Sequence, residues 1–391
     1  MPKIPTRWEG FGTSIFTLMT EESLKCNAIN LSQGFPDFDG PPSIKEAAIT
    51  AIREGRNQYA PSAGILPLRA GLAKLAKKRY GLEWDPMTEI TVFSGATEAI
   101  FCTILGLCQP GDEVVTFEPF YDSYPPSIMA AGASLKGVLL RGPEWHFDEA
   151  ELRAAVTPRT KAILLNTPNN PTGKVFTRQE LEVVSRIAIE KDLFVITDEV
   201  YEELVFDGRK HIPISTVPGM KDRTVTISST SKTFSMTGWK IGFAYASPRL
   251  TSALRAVHQF SVFCSATPLQ WGMVNAVDMD DRYFTEFRME YQTKRDHLHQ
   301  ILSDVGFTCK KSQGTYFIVA DYGNLSSLGD LDFSLWMTRN VGVSCVPITS
   351  FCTDQGKAQV GNYVRFAFCK GMPTLEAARE KLKKASFSAR Q

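Results

Sequence analysis

The chain has 391 residues, 43% of them hydrophobic and 22% charged, a composition typical of a soluble globular enzyme and a length that suits two packed lobes. Its 43 Lys and Arg residues against 42 Asp and Glu leave a net charge of +1, which excludes the basic field that nucleic-acid binding requires. No apolar run reaches the roughly 18 residues of a membrane-spanning helix, the first residues lack the apolar core of a signal peptide, and the eight scattered cysteines form no CxxC pair, so the expectation is a cytoplasmic protein with reduced thiols, no metal site and no redox dithiol.

In chain order, the first 40 or so residues are irregular and rich in turn formers (Gly10, Gly12, Gly34, Pro36, Gly40, Pro41, Pro42), and read as an arm. Ser43 and Glu46 have capping-box spacing and predict that a helix opens there. From residue 89, short apolar runs alternate with helical stretches. TEITVFSG, EVVTFEP, ASLKGVLL, KAILLN, LFVITDE and TVTISS read as strands, and Ile241 to Ala246 is a further strand-like run. ATEAIFCTILGLC reads as a helix. Between KAILLN and LFVITDE, Thr177 and Glu180 form a second capping-box pair, and Leu181, Val184, Ile187 and Ala188 share one helical face. Strands alternating with helices imply an α/β fold with a largely parallel sheet. After about residue 285 the texture changes to a long charged helix from Arg288 towards Val305, the strand TYFIVADY, a helix near Asp332 to Asn340, the strand YVRFAF and a terminal helix. This predicts an arm over residues 1–42 packing with a small α+β domain over 286–391, and a large domain over 43–285.

Ligands of such sheets gather at the carboxyl ends of the strands. KAILLN ends in Asn166-Thr167-Pro168-Asn169-Asn170-Pro171-Thr172-Gly173, a turn that presents side-chain amides. LFVIT ends in Asp198, with Tyr201 close behind. That carboxylate either caps a helix or meets a cationic heterocycle nitrogen. TVTIS runs into Ser229 and Lys232. The lysine is either an exposed loop residue or an amine whose pKa is lowered by a neighbouring cation such as Lys240. EITVF runs into Gly95, Ala96 and Thr97 at a helix start, where backbone N–H groups and the helix dipole suit a phosphate, and Ser229, Ser231 and Lys240 could complete the cup. Taken together these features describe an aldehyde for Lys232, a phosphate, a ring cation for Asp198, and a phenolate oxygen for Asn170 and Tyr201. Pyridoxal 5'-phosphate has all four.

SSTSKTFSMTGWKIG, NTPNNPTGKVF and ITDEVYEELVFDG together resemble the fold-type I aminotransferases of class I/II, in the family's order and over nearly the whole chain. LSQGFPDFDGP, NQYAPSAGILPLR and GTSIFTLM are similar to the branch holding kynurenine aminotransferase, glutamine transaminase K and bacterial methionine aminotransferase. The resemblance implies a large domain with a mostly parallel sheet plus a smaller α+β domain. It implies that Lys232 forms the internal aldimine and shuttles the proton, that Asp198 holds the pyridine nitrogen protonated, and that Asn170 and Tyr201 bond the phenolate oxygen. It implies that Tyr121 of EPFYDSY stacks on the ring. The phosphate falls to Gly95, Ala96, Thr97, Ser229 and Lys240, with Tyr59 reaching it from the partner of a homodimer. Lys240 stands where some relatives carry arginine, and supplies charge without a bidentate fork. Arg365 would clamp the substrate carboxylate, with Asn166, Asn170 and Gly34 beside it. Phe16, Tyr59 and Phe260 are candidate pocket residues. The activity implied is ping-pong transamination between a 2-oxo acid and methionine, glutamine, an aromatic amino acid or kynurenine. The rivals are a cysteine-conjugate β-lyase on the same site and a non-catalytic regulator, for whose extra DNA-binding domain no stretch is seen. A nicotinamide dehydrogenase is disfavoured because no GxGxxG follows a strand.

Overall fold

Runs such as KAILLN and LFVITD carry apolar residues at nearly every position, which suits a strand covered on both faces. In a computed structural model, which describes Trp8 and residues 11–387, these runs lie in the middle of a seven-stranded sheet. We number its strands β1 (Ile90–Phe93), β2 (Glu113–Glu118), β3 (Ser134–Leu139), β4 (Thr160–Asn166), β5 (Phe194–Asp198), β6 (Thr224–Ser229) and β7 (Gly242–Tyr245). Their spatial order is β1-β7-β6-β5-β4-β2-β3. All neighbours are parallel except the two pairs made by β7, which runs against β1 and β6. Every residue of β2, β6 and β7 is buried, and β4 exposes Lys161 alone. The mostly parallel sheet expected from the alternating pattern is therefore present.

A second sheet lies in the C-terminal part. Its strands are β8 (Thr308–Cys309), β9 (Phe317–Asp321), β10 (Val346–Pro347) and β11 (Tyr363–Ala367), in the order β10-β11-β9-β8 and wholly antiparallel. Near the N-terminus, Ile29–Asn30 pairs in parallel with Val343–Ser344, and Arg339 Nη2 lies 2.8 Å from the Glu22 carboxylate on the helix Ile15–Lys25. Gly10 of the irregular opening lies outside the described residues. Among the described residues no helix is long and apolar enough to cross a membrane.

Two helix starts differ from the sequence reading. The helix Pro42–Arg53 begins with a proline in its first turn, and no side chain caps it, so Ser43 is not a cap. A proline there loses nothing, because its missing N–H would have been unpaired anyway and its φ is already helical. The long charged helix spans Asp281–Asp304, starting seven residues before Arg288, because the Asp280 carboxylate accepts from the N–H groups of Arg282 and Tyr283. The box at Thr177 does form. Thr177 Oγ1 accepts from the Glu180 N–H at 3.2 Å while Glu180 Oε2 accepts from the Thr177 N–H at 2.8 Å. All four residues of its apolar face are buried.

Candidate active site

The carboxyl ends of β1, β4, β5 and β6 converge on one cavity of about 280 Å³, closed on its far side by β9, β11 and the segment around Gly34. Gly34, Gly95, Ala96, Thr97, Tyr121 and Asn166 line it, and so do Asn170, Asp198, Tyr201, Ser229, Lys232, Lys240 and Arg365. Of the proposed aromatic pocket residues, Phe16 lines it as well. Within one chain the structure does not bring Tyr59 or Phe260 there: they are 84% and 86% exposed, and Tyr59 packs edge-on against Phe263.

One end of the cavity is an anion cup. Gly95 has φ +86° and caps the helix Ala96–Leu107. A Cβ on Gly95 would lie 2.9 Å from Lys240 Cε, so the lysine side chain crosses directly over the helix start. Gly242 of β7 is also obligatory, because a Cβ there would lie 2.5 Å from the Ala96 nitrogen. Ser229 Oγ accepts from the Ser231 N–H at 3.1 Å and so sets the short turn Thr230–Thr233 that carries Lys232.

Lys232 Nζ faces the rings of Tyr316 at 5.6 Å and Tyr201 at 5.9 Å. Burial, with help from the Lys240 charge, pushes its pKa down to about 8. That is the setting a nucleophilic amine needs at neutral pH. Asp198 is 3% exposed, and burial pushes it up to about 6. Its Oδ2 accepts from the Tyr124 hydroxyl at 2.7 Å and its Oδ1 from the Val200 N–H at 3.3 Å. The helix-cap and heterocycle alternatives for Asp198 are thereby resolved in part, because it is the last residue of β5 and heads no helix.

The amides of NTPNNPTG are ordered by the backbone. Asn166 Nδ2 donates to the Asp198 carbonyl at 2.8 Å, and Asn166 Oδ1 accepts from the Asn170 N–H at 2.6 Å. Asn170 Oδ1 accepts from Arg365 Nη1 at 2.7 Å. Arg365, on β11, is 1% exposed and also donates from Nη2 to the Ser32 carbonyl at 2.8 Å. Its guanidinium lies 3.9 Å from the centre of the Phe317 ring, and its Nε is buried without a protein partner. Burial pulls its pKa down to about 10, and it stays a cation at neutral pH. Gly34 is required by close packing: a Cβ would lie 2.6 Å from Phe317 Cζ and 2.8 Å from Tyr316 Cε2.

Gln33, Phe35, Ile100, Val200, Thr237 and Phe317 also line the cavity, and the sequence reading gives none of them a role. Nor does it single out Tyr124 or Tyr316. Tyr124 lies in EPFYDSY and Tyr316 in TYFIVADY, where the apolar neighbours signal only core.

Pyridoxal 5'-phosphate can be tested against these residues. Lys232, Lys240 and Arg365 face the cavity, and none forms an ion pair with a carboxylate among the described residues. A buried carboxylate held up at about 6 sits opposite, near the Lys232 charge but in no ion pair among the described residues. The glycine-lined cup, the orphaned Nε of Arg365 and the amine of Lys232 thus call for a ligand set with a phosphate, a carboxylate, an aldehyde and a basic ring nitrogen. The residues fit the group.

A mostly parallel sheet that presents a lysine amine, a buried carboxylate and an anion cup at its strand ends defines a pyridoxal-phosphate-dependent transferase of fold type I. The family model for aminotransferase class I and II matches residues 27–382, and the chain belongs to that family. It is 42% identical over 385 residues to a probable N-succinyldiaminopimelate aminotransferase, DapC, of Mycobacterium tuberculosis, covering 96% of this chain and 97% of the relative. It is 37% identical over 383 residues to the methionine aminotransferase of Escherichia coli K12, covering 98% of each. The solved structure of the Escherichia coli protein YbdL, described as having a methionine aminotransferase function, superposes with a TM-score of 0.94 at 36% identity, covering 98% of this chain and 100% of that one. The protein is an enzyme, a pyridoxal-phosphate-dependent aminotransferase acting on amino acids and 2-oxo acids.

Proposed function

We propose that the enzyme transfers the amino group of a neutral amino acid (methionine, glutamine, an aromatic residue or kynurenine) to a 2-oxo acid. The observation that carries this is the cation count of the cavity. Lys232, Lys240 and Arg365 are its only Lys, Arg or His residues among the described lining, and each has a task. Phe16, Gln33, Phe35, Ile100, Val200, Thr237 and Phe317 remain to meet a substrate side chain, and they offer apolar surface, one amide and one hydroxyl, but no charge.

In this reading Lys232 Nζ would hold the cofactor through its aldehyde, with loss of water, and as a free amine would take the proton from the substrate Cα. Asp198 holds a proton on the ring nitrogen. Asn170 and Tyr201 donate to the phenolate oxygen, Tyr121 covers the ring face, and Gly95, Ala96, Thr97, Ser229 and Lys240 hold the phosphate. Arg365 binds the substrate α-carboxylate, with Asn166 and the close backbone of Gly34 beside it. When bound, the cofactor supplies an electron sink for the charge left at Cα. Tyr59 is supplied to the phosphate by the second subunit of a homodimer, and the enzyme works in the cytoplasm.

A second reading, an N-succinyldiaminopimelate donor, is favoured by the 42% identity to the mycobacterial relative. The test is an absorbance spectrum of the protein loaded with pyridoxal 5'-phosphate, before and after each amino acid. The visible band of the lysine-bound cofactor should give way to a shorter-wavelength band with methionine, glutamine or phenylalanine, and be absent in Lys232→Ala. A band that responds to N-succinyldiaminopimelate alone replaces the first substrate reading with the second. A wild-type protein with no visible band would overturn the role given to Lys232.

A further inference from the structure

The partner of Asp198 is Tyr124, a fully buried residue whose hydroxyl donates to Oδ2 at 2.7 Å. Tyr124 opens the helix Tyr124–Ala130, and its N–H donates to the Tyr121 carbonyl at 3.1 Å. Pro125 and Pro126 follow, with φ locked by their rings, so the turn is stiff. The rings of Tyr121 and Tyr124 meet edge-on, 5.8 Å apart at 80°. One rigid turn therefore places both the Tyr121 ring at the cavity wall and the hydroxyl that meets Asp198.

We propose that Tyr124 is a positioning residue for transamination: its hydroxyl orients the Asp198 carboxylate and keeps it ionised, so that the proton shared with the cofactor ring nitrogen stays on nitrogen. The proposal rests on the reading that Asp198 faces that nitrogen. The step involves one proton between one oxygen and one nitrogen, and no other bond changes.

The reasoning is a competition between burial and donors. Burial disfavours the charged carboxylate, and a hydrogen bond from a donor favours it. The Tyr124 hydroxyl, the Val200 N–H and the Lys232 charge all work against burial at Asp198, while Glu199 works with it, and Tyr121 and Tyr201 also face the group. Tyr124 remains a donor at any working pH, because burial and the Asp198 charge hold its phenol well above the ordinary tyrosine value. Among the described residues Tyr124 is the side chain that donates a hydrogen bond to Asp198, so it opposes burial by direct contact rather than through a distant charge. A carboxylate deprived of that donor is the stronger base, and competes better for the proton.

Tyr124→Phe removes the hydroxyl and keeps the ring. The first measurement is a carboxyl-carbon NMR titration of the cofactor-free protein with labelled aspartate, Asp198 being assigned by its absence in Asp198→Asn. The midpoint, expected at about 6 in the parent protein, should rise in Tyr124→Phe, with the proton held about tenfold or more tightly, since that is the worth of a hydrogen bond to a charged group. In the loaded enzyme kcat should fall on the order of tenfold with KM held within about twofold. An unmoved midpoint overturns the proposal, whether kcat is retained or falls along with thermal stability, and makes Tyr124 a core ring only. Asp198→Asn tests the underlying reading separately. If that variant keeps its kcat and its affinity for pyridoxal 5'-phosphate, Asp198 does not serve the ring nitrogen, whatever Tyr124→Phe does.

Discussion

Lys232 shows at the scale of one residue how the setting proposed for a catalytic amine opposes stability. Its pKa is pushed down to about 8 by burial, against an ordinary value of 10.5. Between those values the unfolded chain binds a proton that the native protein has released, so stability rises with pH through that window. Below it, both states are charged and the native state carries the full cost of a buried cation. Lys232→Met should therefore raise the urea midpoint of the cofactor-free protein at pH 7, and the gain should shrink from pH 8 to about 10.5. An equal gain at every pH would mean that the amine is not desolvated. Lys232 was legible in the sequence because hydroxyl residues and a second lysine crowd around it. Tyr124 was not legible, since it stands 74 residues from Asp198 and nothing local distinguishes a donor tyrosine from a packed one.

Elements separate the residues that hold the fold from those that shape the site. The helix Arg178–Glu190 lines no part of the cavity, and its capping box is a purely local device. Thr177→Ala should lower stability by about 1 kcal/mol in urea denaturation and leave kcat/KM unchanged. Gly242 on β7 behaves differently, because a Cβ there would lie 2.5 Å from both the Ala96 nitrogen and the Gly95 carbonyl carbon. Gly242→Ala should displace the helix start proposed to hold the phosphate and weaken the affinity for pyridoxal 5'-phosphate on the order of tenfold or more, measured by fluorescence titration. Unchanged affinity would show that the cup tolerates the shift. Thr177 was readable from four residues of sequence. Gly242 was not, because its constraint comes from the antiparallel pairing of β7 with β1, which brings it against a loop nearly 150 residues earlier.

For the whole molecule, the exposed apolar residues Tyr59, Phe260, Val262 and Phe263 mark the face proposed to meet a second copy. The loop around Tyr59 and the end of the helix Pro248–Ser261 are tied to the start of the helix Ala96–Leu107 by a partly buried hydrogen-bond chain. His258 Nε2 bonds the Ser62 carbonyl at 2.9 Å, His258 Nδ1 bonds Glu98 Oε1 at 2.7 Å, and Glu98 Oε2 accepts from the Ser94 N–H at 2.6 Å. The protein should therefore sediment as a dimer. Tyr59→Ala should remain dimeric but hold pyridoxal 5'-phosphate more weakly, on the order of tenfold. A monomer that binds the cofactor normally would remove Tyr59 from the site.

The sequence by itself determined the seven strands of the large sheet and the two longer strands of the small one, the Thr177 cap, and which residue types stand at the strand ends: Asn170, Asp198, Lys232 and the Gly95 turn. These are short-range properties, carried by hydrophobic period and turn chemistry over a few residues; the two-residue strands Thr308–Cys309 and Val346–Pro347 are too short to carry a pattern. Tertiary structure alone decided that Arg365 meets Asn170 across 195 residues, that Tyr124 meets Asp198, and that Lys232 and Asp198 lose their water. Those outcomes depend on two sheets closing over one cavity. Desolvation is a property of everything packed around a group, so no local stretch of sequence contains it.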